Sequence, residues 1–184
     1  MGESQASLFQ PDFNRSLHIE ARQERLSADA GALLLRELLD RSGLSRLLER
    51  ELRDLRAAER LTHPLGELLR TQLLLAAQGY ADHSDATLLR HDPLLRLSVS
   101  SRRGAEVLER HPALASQPTL SRLLQMLSTP ENRSALGRVL LQSPRCLSAP
   151  GPRREITLDL DSLPLEVHGH QAGSAYNGHY RLRC

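Results

Sequence analysis

Two aspartates, Asp159 and Asp161, are the strongest candidates for chemistry in this 184-residue sequence. Apolar and polar residues alternate over 155–161, so a β-strand there would place both carboxylates on one face. Neighbouring carboxylates repel each other unless a cation lies between them or one of them is protonated. Oxygen ligands of this kind suit Mg²⁺ or Mn²⁺. The alternative is an exposed strand face with two ordinary solvated carboxylates.

A second candidate metal site is the pair His168 and His170, which share a face if the segment is extended. Histidine is a common metal ligand. No third ligand follows at a recognisable spacing, so the pattern favours hydrogen-bonded loop histidines over a metal site.

Short polar side chains followed by an arginine open a predicted helix at residues 116–122. Such a start resembles the recognition helix of a helix-turn-helix, whose first turn meets phosphates or base edges. The alternative is a capped helix whose polar residues face solvent. Arginines in a polar connector at 98–104 could also contact a phosphate backbone. The predicted DNA-binding residues are therefore Gln117, Thr119, Ser121, Arg122, Arg102 and Arg103.

Helices must position these side chains, because leucine recurs at helical spacing over most of the chain. The first helix is predicted from an N-cap at Ser27 to Arg41, and the second, after a break at Gly43, runs from Leu44 to Ala57. The third starts at Thr62 and Pro64, ends at Gly79, and lies at the centre of a bundle. Later starts are predicted at Ser84 or Asp85 (to Arg90), Asp92, Gln117 (to Leu127) and Thr129 (to Gln142). The predicted buried leucines are Leu34, Leu38, Leu48, Leu69, Leu73 and Leu124.

The segments of the chain differ in composition. Residues 1–26 are polar and are predicted to form a flexible arm, and residues 27–142 form the helical region. Prolines and glycine at 143–154 indicate a linker. A strand is predicted at 156–161 and a short second strand at 165–168, and alternation begins again at 179–184.

Composition supports a mainly α protein and excludes several classes. The chain has 40 Leu but only four Val and two Ile, and leucine is a strong helix former. Its two cysteines cannot build a disulfide framework, which favours a reducing, cytoplasmic compartment. No apolar run approaches the ~20 residues of a membrane span. The absence of a glycine-rich phosphate loop and of a GxSxG elbow argues against a nucleotide-binding enzyme and a serine hydrolase.

Three stretches in this order resemble the N-terminal part of a bacterial insertion-sequence transposase of the DDE type, which has a ribonuclease-H-like catalytic domain. The resemblance covers roughly residues 27–184. The stretches are Gly79 to Pro93 (GYADHSDATLLRHDP), Leu114 to Arg122 (LASQPTLSR), and ITLDLDS at 156–162 followed by EVHGHQ at 166–171 and AYNG at 175–178.

The resemblance implies that a helical DNA-handling region, 27–142, precedes the start of the catalytic domain, 155–184. It also implies that the first catalytic carboxylate lies on the first strand, where Asp161 before Ser162 matches best and Asp159 is the alternative. By resemblance, three carboxylates hold two Mg²⁺ ions that cut and join DNA. The second Asp and the Glu cannot be placed here, so a truncated catalytic domain is expected.

The sequence therefore predicts a mainly α fold: a helical bundle followed by one or two strands of an incomplete ribonuclease-H-like α/β domain. The predicted function is DNA transposition, with Mg²⁺ as cofactor and insertion-sequence ends as partner, by a chain that is inactive alone. The protein is expected to associate with the nucleoid and to make no membrane contact. Whether it forms a homo-oligomer is left open. The alternative is a non-enzymatic helical module for DNA binding or protein interaction.

Overall fold

The computed structural model divides the chain into two compact units, residues 1–148 and 149–184. The boundary falls inside the predicted linker, 143–154. The structure describes residues 9–19, 29–57, 59, 61–80, 82–104, 106, 108, 113–148, 151, 155, 157, 159, 161, 163–169 and 171–184.

Within these residues the first unit is helical, which confirms the prediction of a mainly α fold. No helix of the described residues is long and apolar enough to cross a membrane. The helices are α1 (Gly31–Arg41), α2 (Leu44–Glu51), α3 (Leu65–Ala77), α4 (Asp85–Leu88), α5 (Pro93–Val99), α6 (Gln117–Leu127) and α7 (Pro130–Cys146).

Helix starts follow the local chemistry of the sequence. Asp92 caps α5 by accepting a hydrogen bond from the Leu95 amide at 2.8 Å, and a proline follows it. Thr129 caps α7 in the same way and accepts from the Asn132 amide. Between α1 and α2 the chain turns at Gly43, whose φ of 75° suits glycine. The predicted N-cap of α1, Ser27, lies outside the described residues.

The core of the first unit is built around α3, which contacts α1, α2, α5 and α6. Leu48 and Leu69 are buried as predicted, and Leu73 is partly buried against the core. The prediction is wrong for Leu34, Leu38 and Leu124, which are 53%, 55% and 45% exposed. In α1 the buried face carries Ala32, Leu33, Arg36 and Glu37 instead, because an arginine on this face binds carbonyls of a distant segment.

Helix α2 is shorter than its leucine pattern predicts. It ends at Glu51, and Leu52 is already extended. Residues 52–57 are not helical, because the backbone of Arg53 bonds to the buried side chain of Asn132 from α7. A tertiary contact has replaced the last turn of the predicted helix.

Residues 9–19 pack against α1. Phe9 and Ile19 form an antiparallel bridge. Phe13 is buried, and the guanidinium of Arg36 lies 4.7 Å from the centre of its ring. The sequence did not predict these contacts; the extent of the arm, 1–26, stays a prediction because 1–8 and 20–28 lie outside the described residues.

Helix α7 passes through Pro144 and ends at Cys146, four residues beyond the predicted end. Proline has no N–H to donate to the carbonyl of Leu140. The hydroxyl of Ser143 donates to that carbonyl at 3.0 Å, which replaces part of the lost helical bonding.

The second unit contains a two-stranded antiparallel sheet, β1 (Tyr176–Asn177) and β2 (Leu182–Arg183). The Val167 amide donates to the carbonyl of Arg183, although 165–168 is not itself a strand. The strand predicted at 156–161 falls partly outside the described residues. Of that segment the structure describes 157, 159 and 161, and none of these three residues belongs to a strand.

Candidate nucleic-acid interface

The loop at 100–104 follows α5 and carries the predicted DNA-binding residues Arg102 and Arg103, both exposed. The Arg102 amide donates to the hydroxyl of Ser100 at 3.0 Å. Gly104 then turns the chain with a φ of 92°. The structure therefore presents both arginines to solvent from a short, hydrogen-bonded turn.

Two buried arginines hold the chain that leads into this loop. Arg36 of α1 donates from one nitrogen to the carbonyls of Ser98 and Ser100, at 2.5 and 2.9 Å. Arg70 of α3 donates to the carbonyl between them, that of Val99, at 2.8 Å. Three successive carbonyls at the end of α5 thus accept hydrogen bonds from guanidinium groups. Positive charge stabilises this end of a helix, because the last carbonyls have no partner within the helix and the helix dipole is negative there.

The loop is also fixed on its other side. The amide of Ser101 donates to a carboxylate oxygen of Glu67 at 2.9 Å, and the hydroxyl of Ser101 accepts from Arg70 at 2.5 Å. Each bond joins the loop to α3. The position of Arg102 and Arg103 is therefore set by α1 and α3 together.

Both buried arginines have carboxylate partners. Asp40 accepts from Arg36 at 2.9 Å, and Glu49 accepts from Arg70 at 3.0 Å. Burial lowers the pKa of Arg70, and the nearby charge of Arg36 lowers it further. Arginine stays protonated at any physiological pH, so both cations remain charged under the loop.

Sequence reasoning missed Arg36 and Arg70 as functional positions. One signal was present: Arg70 lies between Leu69 and Leu73 in the most apolar helix of the bundle. A charged residue on a buried helix face must find partners. The partners are backbone carbonyls about thirty residues away in sequence for Arg70 and over sixty for Arg36, and no spacing rule reveals them.

The other predicted DNA-binding residues lie at the start of α6, which begins at Gln117 as predicted. Gln117 donates from its side-chain amide to the hydroxyl of Ser121 at 3.1 Å. The hydroxyls of Ser116 and Thr119 lie 3.0 Å apart. These polar side chains are partly buried and oriented by one another, while Arg122 is exposed.

The two sets of predicted residues occupy different parts of the helical unit. Helix α6 packs on α3, α4 and α7. Arg103 instead lines a cleft of about 530 Å³ together with residues of α1, α2 and α3. The structure thus offers two separate basic positions on one helical body.

The predicted metal ligands, Asp159 and Asp161, are both exposed in the second unit. His168 is exposed, and His170 lies outside the described residues. Within the part of the chain that the structure describes, no three His, Cys, Asp or Glu side chains are grouped as a metal site would require. Among the described residues, the two aspartates therefore lack the further ligands that a complete divalent-metal site would need.

Comparisons with known proteins give a family but no close relative. No curated protein and no solved structure matches the chain. The family model described as transposase DDE domain group 1 matches residues 9–184, which is nearly the whole chain. The helices of the first unit and the Asp159–Asp161 segment all lie within the matched residues. This protein therefore belongs to the DDE-domain transposase family, group 1.

Proposed function

We propose that the helical unit binds the ends of an insertion sequence during DNA transposition, and that the second unit contributes the first catalytic carboxylate. The observation that carries the proposal is the family match over 9–184, since this family acts on DNA in transposition and recombination. The exposed arginines of the helical unit supply the contacts that such binding needs.

The start of α6 is the proposed base- or phosphate-reading element. Its first turn combines an exposed arginine with small polar residues already oriented by mutual hydrogen bonds. A helix N-terminus favours phosphate, and short side chains let the backbone approach DNA closely. Arg102 and Arg103, in the loop at 100–104, are proposed to form a second contact with the phosphate backbone.

The test measures DNA binding by fluorescence anisotropy at several salt concentrations, with wild type, Arg122→Ala and a matched control. The control is Arg133→Ala, which removes an exposed arginine from α7. If Arg122 contacts a phosphate, affinity should fall about equally for all sequences and the salt slope should drop by roughly one unit. If Arg122 contacts a base edge, the loss should be sequence-selective, on the order of 1–3 kcal/mol.

Binding by Arg122→Ala equal to that of the Arg133→Ala control would remove α6 from the interface. A wild-type chain that binds no DNA, with or without end sequences, would refute the proposed function itself.

Transposases of this family use a divalent metal ion, and we propose Mg²⁺ for this one, with Asp161 as a ligand and Asp159 as the alternative. The described residues do not supply a third grouped ligand. We therefore propose that the 184-residue polypeptide does not cut DNA on its own. The second candidate function is a non-enzymatic DNA-binding module, which the self-contained core of the helical unit favours.

A further inference from the structure

We infer that the cleft beside α2 binds a phosphate group of DNA through Ser45, Arg46 and Arg103. The inference rests on the proposed DNA-binding function and adds a contact site apart from the start of α6. The cleft has a volume of about 530 Å³ and lies between α1, α2, α3 and the loop at 100–104. Ser45 and Arg46 belong to the first turn of α2, and Arg103 comes from the loop.

The first observation is a buried hydroxyl without a partner. Ser45 is only 9% exposed, and its Oγ is buried with no hydrogen-bond partner. Burying a hydroxyl without a hydrogen bond costs free energy, so native proteins rarely leave one in this state. Ser45 lines the cleft, where an acceptor oxygen of a phosphate would satisfy its O–H.

The second observation is the charge balance of the cleft. Five arginines and four carboxylates line it. Every carboxylate already has an arginine partner: Asp40 pairs with Arg36, Glu49 with Arg70, and both Asp12 and Glu37 with Arg41. Arg46 and Arg103 have no ion-pair partner among the described residues, and both are exposed at the cleft. The cleft therefore keeps two cations available for an anion.

The start of α2 adds a third favourable feature. Gly43 precedes the helix and provides no side-chain cap, while the hydroxyl of Ser42 accepts from the first amide, that of Leu44, at 3.3 Å. The first amides of a helix have no acceptor within the helix, and the helix dipole favours negative charge there. Ser45 and Arg46 lie in this first turn, so backbone polarity and side-chain charge favour the same ligand.

The test uses a fluorescein-labelled duplex of about twenty base pairs with Arg46→Gln, Arg103→Gln and the control Arg133→Gln, each checked for helix content by circular dichroism. The control removes one exposed arginine of α7 that has no ion-pair partner among the described residues. We expect each cleft variant to bind severalfold more weakly than the control, with a salt slope reduced by roughly one unit.

Ser45→Ala tests the hydroxyl itself, because this substitution does not change the charge of the cleft. Without DNA it should melt at a higher temperature than wild type, because the buried unpaired hydroxyl is gone. With DNA it should bind severalfold more weakly, because the phosphate loses a donor. A variant that is both more stable and a weaker binder supports the inference.

Other outcomes separate this inference from the proposed function. If wild type binds DNA and both cleft variants match the control, the cleft inference is overturned and the proposed function stands. If inorganic phosphate at fixed ionic strength stabilises wild type while DNA binding by the cleft variants matches the control, the cleft holds free phosphate and not DNA, which also overturns it. If wild type binds no DNA, both fail.

Discussion

The side chain of Asn132 is fully buried and bonds in both directions to the backbone of Arg53. Its carbonyl oxygen accepts from the Arg53 amide at 2.9 Å, and its amide nitrogen donates to the Arg53 carbonyl at 3.1 Å. The same nitrogen donates to the carbonyl of Met126 at 3.0 Å. One side chain thus joins the start of α7 to the end of α6 and to the segment after α2.

Replacing Asn132 by alanine should destabilise the helical unit by about 2–4 kcal/mol, because the Arg53 amide and carbonyl lose their partner and a fully buried side chain is truncated. The measurement is urea unfolding followed by circular dichroism. Arg133→Ala, which changes the exposed next residue, is the control and should shift stability by less than about 0.5 kcal/mol. Equal urea midpoints for the two variants would contradict this role of Asn132.

The same contact explains which part of α2 could be predicted from sequence. Leucine spacing correctly predicts a helix from Leu44, and Leu47, Leu48 and Leu52 are buried. The pattern also includes Leu55, which is 59% exposed because the helix has already ended. Local periodicity cannot reveal that an asparagine about eighty residues away replaces the helical bonds of Arg53.

Arg70→Met should destabilise the helical unit by about 3 kcal/mol, since it leaves a buried carbonyl and Glu49 without their cation. It should also release the loop that Arg70 holds at Val99 and Ser101. We expect faster amide hydrogen exchange at Ser101 and Arg102 than in wild type. The control is Arg133→Met, an exposed position on α7 with no ion-pair partner among the described residues.

Unchanged exchange at Ser101 in Arg70→Met, despite the loss of stability, would show that Arg36 and Glu67 alone fix the loop. Faster exchange throughout the helical unit in proportion to the lost stability would show only global unfolding. The prediction requires that the loop amides respond more than those of α6.

Sequence reasoning predicted the exposed elements of the candidate interface better than the buried ones. It placed the start of α6 at Gln117 and Arg103 in a loop, because caps, prolines and glycines are local signals. It missed Arg36 and Ser45, whose surroundings are built by distant segments. It also assigned Leu34 to the core, because it could not show that α1 turns an arginine inward.

Protonation of Glu51 at acidic pH should make the helical unit less stable. Hydrogen bonds from Arg138 and then from Arg50 hold the pKa of Glu51 below its ordinary value of 4.5. A carboxyl whose pKa is lowered by folding stabilises the fold above about pH 4.5 and loses that contribution as pH falls through the folded-state pKa. The Glu51–Arg138 pair joins α2 to α7 at 3.0 Å.

A double-mutant cycle with Glu51→Gln and Arg138→Gln isolates this pair from other carboxylates. The coupling measured by urea unfolding should be favourable at pH 7 and should shrink toward zero well below pH 4.5. It should also weaken in high salt, because the pair is near the surface. A coupling that is the same at pH 7 and pH 3 would contradict the assignment.

Finally, the purified 184-residue polypeptide should not nick or join DNA that carries insertion-sequence ends, in Mg²⁺ or in Mn²⁺. Two-metal chemistry needs carboxylates on both sides of the metal pair, and the candidates here are two exposed aspartates in one short segment. The assay compares wild type with Asp161→Ala, Asp159→Ala and the exposed-carboxylate control Glu166→Ala on supercoiled plasmid. Nicking by wild type that persists in Glu166→Ala but disappears in Asp161→Ala would contradict the prediction and identify Asp161 as a ligand. Nicking that persists in every variant and disappears on further purification would come from a contaminating nuclease, whereas nicking that co-purifies with the polypeptide would contradict the prediction.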